Sequence, residues 1–150
     1  MLLLRFKFGR DRRAGADLAR LLEEPLRAVL SEASESLVVP VPVSSGTLKK
    51  RGFNQVEEVL TACSVSYTGL LERTGDKRHQ VALGAEERAA LVHGQYSVRE
   101  DARKVLSGRQ VVLVDDVLTT GSTMGEAARV LREAGAARVT GIAFFRESLF

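Results

Sequence analysis

The sequence predicts an α/β fold, a mostly parallel sheet flanked by helices, and three observations carry that expectation. Val111, Val112, Leu113 and Val114 form a continuous aliphatic run, as in a strand buried on both faces of a parallel sheet. An Ala-rich pattern of helical period follows over 124–134, after a short turn. Strand-like and helix-like segments alternate along the rest of the chain, which favours a doubly wound sheet. With 150 residues the chain reads as a single domain over 1–150. A domain of that size buries roughly 70% of the surface its unfolded form exposes.

Taken in order, 1–9 is too short for periodicity to separate a strand from the tail of a helix. Over 14–30, Leu18, Leu21, Leu22, Leu26, Val29 and Leu30 recur at helical spacing, with Pro25 expected to kink or disturb the helix. The segment 37–43 reads as a strand. Pro40 and Pro42 place it at a sheet edge or end it early. Ser44, Ser45, Gly46 and Thr47 are a turn by composition. Asn54 suits a helix N-cap, with Val56, Val59 and Leu60 on the buried face of the helix it starts. Short strands are expected over 69–73 and 96–99. Between them 74–87 is polar and aperiodic, a loop of the kind on which catalytic side chains concentrate. A basic lead-in over 103–110 reaches the central strand, Gly135 suits the close of the helix over 124–134, and 138–145 is the last strand. The chain carries no internal repeat, linker or low-complexity tract.

Composition narrows the function classes. Hydrophobic content of 45% with 27% charged residues is that of an ordinary globular domain. A single cysteine, Cys63, rules out an internal disulfide and argues against a structural zinc site. No apolar run approaches a membrane span, and 1–4 is too short for a signal-peptide core, so a cytoplasmic protein without a membrane partner is expected. The net charge of +3 is uneven: 1–13 holds five basic residues and one acid, and Lys49, Lys50 and Arg51 are consecutive. Such clusters suit a phosphate-bearing small molecule or a nucleic acid equally.

The chemistry concentrates at 111–123. Asp115 and Asp116 stand where the central strand is expected to end, before the hydroxyl-rich turn Thr119, Thr120, Gly121, Ser122, Thr123 and the next helix. A phosphate requires converging N–H donors with no side chain in the way. Gly121 permits close backbone approach, a helix N-terminus offers unpaired N–H groups and a favourable dipole, and the hydroxyls add donors. The two acids cannot bind phosphate. They can accept hydrogen bonds from sugar hydroxyls or hold a hydrated Mg²⁺. A simpler alternative is that the acids end a strand while Thr123 and Glu126 form a capping box.

This segment resembles the phosphoribosyl diphosphate (PRPP) motif of type I phosphoribosyltransferases. Its variant Asp-Asp-Val-Leu-Thr-Thr-Gly-Ser-Thr resembles the ComF/GntX branch, the competence-associated members, as does Arg-Gly-Phe-Asn-Gln at 51–55. The resemblance implies the type I phosphoribosyltransferase fold. It implies that Asp115 and Asp116 bind the ribose 2′- and 3′-hydroxyls and serve as the catalytic pair, and that 119–123 wrap the 5′-phosphate. Val43, Ser44 and Ser45 become a pyrophosphate loop, with Arg51 as nearby charge support. Mg²⁺ is implied as a cofactor held through PRPP and pyrophosphate rather than by a protein metal centre. A flexible loop that closes over the site is also implied, and Gln80, Leu83 and Arg88 match the branch there. Leu91 and His93 depart from it, standing where the branch has Asn and Arg. Many branch members carry an N-terminal four-cysteine zinc module. None of it is present here, which reads as a short member or a chain beginning downstream of that module.

Competing motifs are missing. Val-Val-Leu-Val-Asp-Asp also resembles a Walker B strand, but no Gly-x-x-x-x-Gly-Lys-Ser/Thr loop occurs. Neither does Gly-x-Gly-x-x-Gly after a strand nor a Gly-x-Ser-x-Gly elbow. Cys63 reads as core, and His79 and His93 as surface histidines rather than general bases. Two functions stay open within the fold. One is transfer of the phosphoribosyl group from PRPP to an unidentified nitrogen nucleophile. The other is a non-catalytic PRPP-sensing or DNA-uptake protein, with a competence protein or single-stranded DNA as partner. A homodimer fits either.

Overall fold

The computed structural model describes residues 12–74 and 94–147. The readings made for 1–9 and for 75–93, including His79, Gln80, Leu83, Arg88, Leu91 and His93, lie outside the described residues. The element order is α1 (Arg12–Glu32), β1 (Leu37–Pro40), α2 (Ser45–Arg51), α3 (Gln55–Ala62), β2 (Leu71–Arg73), β3 (Tyr96–Val98), α4 (Ala102–Leu106), β4 (Gln110–Leu118), α5 (Ser122–Glu133) and β5 (Arg138–Arg146). The expected α/β class is what the chain adopts. A parallel sheet of order β1-β4-β5 has β4 at its centre, and β2 and β3 form a separate antiparallel pair.

The aliphatic run in β4 explains why both faces of the sheet are covered. Successive strand side chains point to opposite faces. Val112 and Val114 pack with Leu18 and Leu26 of α1 and with Phe53, Val56, Val59, Leu60 and Cys63 of the α3 region. Val111 and Leu113 pack on the other side with Leu71, Tyr96, Ala102, Leu106, Ala127 and Leu131. Polar residues at either set would leave unpaired groups in one of two dry layers. Cys63 belongs to the first layer: it is buried, its thiol lies 3.5 Å from the Ala19 carbonyl, and burial pushes its pKa up.

Four details differ from the sequence expectations. First, α1 runs through Pro25. Pro25 and Leu21, whose carbonyl loses its donor, are both exposed, so water can serve that carbonyl. Second, 44–47 is no simple turn. Ser44 caps α2, its Oγ accepting from the Thr47 N–H at 3.0 Å, so the basic trio Lys49, Lys50 and Arg51 forms the last turn of a helix. Third, the basic lead-in contains a helical turn, α4, because Ala102 and Leu106 lie four apart and both are fully buried. Fourth, β4 does not stop at Asp115 but continues to Leu118. Among the described residues, no helix is long and apolar enough to cross a membrane.

Candidate functional site

The length of β4 and the shortness of β1 together open a cleft. The β1–β4 ladder ends at Pro40 and Val114, followed by one further bond from the Val41 N–H to the Val114 carbonyl at 2.8 Å. The next ladder bond, from the Asp116 N–H to the Val41 carbonyl, is replaced by two others: the Asp116 N–H donates to the Asp115 carboxylate at 2.8 Å, and Asn54 Nδ2 donates to the Val41 carbonyl at 3.2 Å. β4 continues with β5 alone, pairing Asp115 with Ala143 and Val117 with Phe145. The side of β4 that loses its neighbour at Val114 therefore faces a gap. A cleft of about 250 Å³ fills it, lined by residues that include Val41, Val43, Ser44, Arg51, Asp115 and Thr123.

Of the residues singled out from sequence, the cleft brings together Val43, Ser44, Arg51, Asp115, Asp116, Thr119 and Thr123. Ser45, Thr120, Gly121 and Ser122 are not part of its lining. Ser45 opens α2. Thr120 and Ser122 are exposed and share a hydrogen bond of 2.9 Å between their hydroxyls. Gly121 between them has φ of 80°, a conformation natural to glycine, and it is the N-cap of α5. Gly121 has no side chain to cap that helix, and the Ser122 N–H donates to Thr120 Oγ1 at 3.4 Å. The capping-box alternative is thereby excluded: α5 begins at Ser122, and Glu126 is engaged elsewhere. Asp115 and Asp116 are half-buried, and the Asp115 carboxylate accepts the Asp116 N–H at 2.8 Å.

The cleft also holds residues that sequence reasoning missed: Gln55, Arg73 and Tyr96, with Thr47 and Val117. Arg73 and Tyr96 are register partners on β2 and β3, and the Arg73 guanidinium stands 5.9 Å from the Tyr96 ring centroid. Tyr96 is 4% exposed. Burial pushes its phenol up, Arg73 opposes that, and the Asp115 carboxylate adds to it, so the hydroxyl stays protonated at neutral pH. Two cations, Arg51 and Arg73, thus share a small cleft with two acids.

Glu126 holds the β2–β3 pair against the helix that begins beside the cleft. This side chain is 5% exposed and accepts the Gly94 N–H at 2.8 Å and the Arg129 guanidinium at 2.8 and 2.9 Å. Thr74 closes the same end of the pair, its N–H donating to the Gln95 carbonyl and its hydroxyl to that of Gly94. Arg129 also pairs with Glu133, and these bonds hold its pKa far above the usual arginine range.

Among the described residues, no group of three or more His, Cys, Asp or Glu side chains could hold a metal ion. Two carboxylates and one carboxamide line the cleft, all hard oxygen donors suited to Mg²⁺. A cation there would need most of its ligands from phosphate oxygens and water, and with those the residues present fit it.

Comparison with known proteins agrees with this architecture. The family model described as "Phosphoribosyl transferase domain" matches residues 15–148. The chain is 31% identical over 137 residues to Competence protein ComFC of Streptococcus pneumoniae, covering 88% of this chain and 56% of that protein. It is 29% identical over 143 residues to Competence protein F of Haemophilus influenzae, covering 90% and 62%. It thus spans little more than half the length of these relatives. The fold is similar to that of a hypoxanthine phosphoribosyltransferase of Staphylococcus aureus, with a TM-score of 0.53, 11% identity, and coverage of 88% of this chain and 65% of that one. The resemblance read from 51–55 and 111–123 to the ComF-type, type I branch is borne out by these matches.

Proposed function

The chain belongs to the phosphoribosyl transferase domain family, and from that premise we propose that it binds PRPP with Mg²⁺ and transfers the phosphoribosyl group to a nitrogen nucleophile. The observation that carries this reading is the cleft itself. It gathers Asp115, Asp116, Thr119 and Thr123 at the carboxyl end of the central strand, opposite Ser44 and Arg51. That is where ligands bind in open α/β sheets.

On this reading Asp115 and Asp116 accept hydrogen bonds from the ribose hydroxyls. The turn 119–123 and the start of α5 take the 5′-phosphate. Arg51 and Arg73 face the diphosphate. Transfer breaks the bond from C1′ to the diphosphate oxygen, whose electron pair leaves with pyrophosphate. A nitrogen lone pair forms the new bond to C1′, and that nitrogen loses a proton. Positive charge develops on the ribose ring as the leaving group departs, and the negative charge of the two aspartates favours it. Mg²⁺ supplies charge neutralisation for the pyrophosphate. Catalysis is then mostly positioning.

Calorimetry with PRPP and Mg²⁺ tests the site. Binding is expected for the wild-type protein and its loss for the Asp115→Asn/Asp116→Asn double variant. Absent binding, or binding indifferent to the double substitution, refutes the assignment. Pyrophosphate release across a panel of nucleobases and amines then tests transfer. A second reading draws on the competence proteins among the relatives: the same pocket senses PRPP without turnover in a protein of DNA uptake. Binding without release for any nucleophile, together with salt-sensitive retention of single-stranded DNA on filters, favours that one.

A further inference from the structure

We propose that Gln55 is a ligand-binding residue of this cleft, its carboxamide completed only when the diphosphate end of the ligand and the accompanying cation are in place. The inference rests on the PRPP reading above and adds to it a residue outside the aspartate pair, the phosphate turn and the basic helix.

Gln55 is 1% exposed and lines the cleft, yet neither its Nε2 nor its Oε1 has a hydrogen-bond partner among the described residues. Buried amides without partners are rare and costly. The adjacent carboxamide behaves in the opposite way. Asn54 Nδ2 donates to the Val41 carbonyl at 3.2 Å, and its Oδ1 accepts the Val56 N–H at 3.0 Å. Asn54 therefore joins the end of β1 to the start of α3, and it fixes Gln55, the first residue of α3, beside the point where the cleft opens. Packing alone supplies no reason for an amide at 55, because a methionine of similar length would fill the volume without unpaired groups.

The chemistry of the surroundings selects the part of the ligand. Ser44, Thr47 and Arg51, one helix before Gln55 in the chain, line the same cleft. Nε2 donates, so it suits a phosphate oxygen near Arg51. Oε1 only accepts, and an ionised phosphate has nothing to donate to it. A water bound to a divalent cation does, and such a water is a strong donor. The ribose hydroxyls are assigned to Asp115 and Asp116. Glu57 and Glu58 in the first turn of α3 disfavour an anion held by the helix N-terminus alone. A neutral side chain that offers one donor and one acceptor satisfies both a phosphate oxygen and a water on its counter-ion.

The test compares wild-type protein with Gln55→Met and Gln55→Glu, using pyrophosphate with Mg²⁺ and ribose 5-phosphate as separate calorimetric probes. Gln55→Met should weaken magnesium pyrophosphate binding by about tenfold or more, while ribose 5-phosphate stays within about twofold. The same variant, free of ligand, should melt at or above the wild-type temperature, because it removes two unpaired buried groups. Gln55→Glu should bind magnesium pyrophosphate more weakly than Gln55→Met, since it sets a negative charge against the phosphate. Unchanged pyrophosphate binding by Gln55→Met overturns the assignment. So does a loss confined to ribose 5-phosphate, or a ligand-free Gln55→Met that melts lower or fails to fold, which would mark the amide as structural. Wild-type protein that binds neither probe overturns the PRPP reading and this assignment together. Wild-type binding with an indifferent Gln55→Met overturns this assignment alone.

Discussion

Removing the Glu126 carboxylate should separate the two halves of the cleft wall. Glu126→Ala deletes the acceptor for the Gly94 N–H, a bond of 2.8 Å to a charged, buried group. Such bonds contribute about 1.5–3 kcal/mol. The pair with Arg129 adds little, because Arg129 is 37% exposed, and solvent-screened pairs contribute below about 1 kcal/mol. A net loss of about 2–3 kcal/mol follows, which for a domain of this size lowers Tm by roughly 5–10 °C. Glu126→Gln keeps an oxygen for Gly94 and should cost no more than about 1 kcal/mol. Urea denaturation of wild type, both single variants and Glu126→Ala/Arg129→Met measures each term, with coupling between 126 and 129 expected to stay under about 1 kcal/mol. Amide exchange at Gly94 reports the bond directly and should accelerate only in the alanine variant. A glutamine variant as unstable as the alanine one would refute the reasoning, since the stabilisation would then lie in the ion pair. Because Arg73 and Tyr96 ride on the strands that Glu126 anchors, Glu126→Ala should also weaken PRPP binding by about fivefold, the equivalent of about 1 kcal/mol of lost alignment.

Three further substitutions probe the frame around the cleft. Gly121→Ala places a side chain at φ of 80°; its Cβ would meet only Leu118 at 3.7 Å, an ordinary contact. The cost is therefore backbone strain of about 1–2 kcal/mol, and a calorimetric melt that matches wild type would refute it. Leu113→Ala empties a fully buried position on the central strand. It should cost about 3–5 kcal/mol with an unchanged urea m-value. Tyr96 tests the pH behaviour: its phenol is raised chiefly by burial, above an unfolded value of about 10. The stability it contributes is intact below that value and is lost as pH rises through the higher folded one. The stability difference between wild type and Tyr96→Phe should be flat at neutral pH and shift against the wild type above about pH 10; parallel profiles at all pH values would contradict the assignment.

What could be read from sequence divides along a physical line. Periodicity is local, so the buried strand at 111–114, the helices carried by Leu18 to Leu30 and by Val56 to Leu60, and the last strand were legible from spacing alone. Asn54 as an N-cap was legible for the same reason, because the cap bond spans two residues. Ser44 was missed as a cap because Ser-Ser-Gly reads as a turn unless the Thr47 bond is known. α4 was missed because one helical turn carries too few residues to show a period.

The site divides in the same way. Asp115, Asp116, Thr119 and Thr123 are contiguous on one strand–turn–helix unit, and a contiguous unit can be recognised as a string. Arg73 and Tyr96 reach the cleft only through a strand pair whose members lie 20 or more residues apart in the chain, and nothing local to either residue announces it. Glu126 illustrates the limit best. Its spacing from Thr123 fits a capping box, yet it accepts the N–H of Gly94, 32 residues earlier. Gln55 sits between these cases: it was inside a recognised string, but a string does not reveal that one amide is paired and its neighbour is not. The position of the cleft itself follows from two hydrogen bonds. The two groups that would carry β1 alongside Asp116 are engaged elsewhere, the Asp116 N–H by the Asp115 carboxylate and the Val41 carbonyl by Asn54, so the strand that bears the acids continues where its neighbour stops.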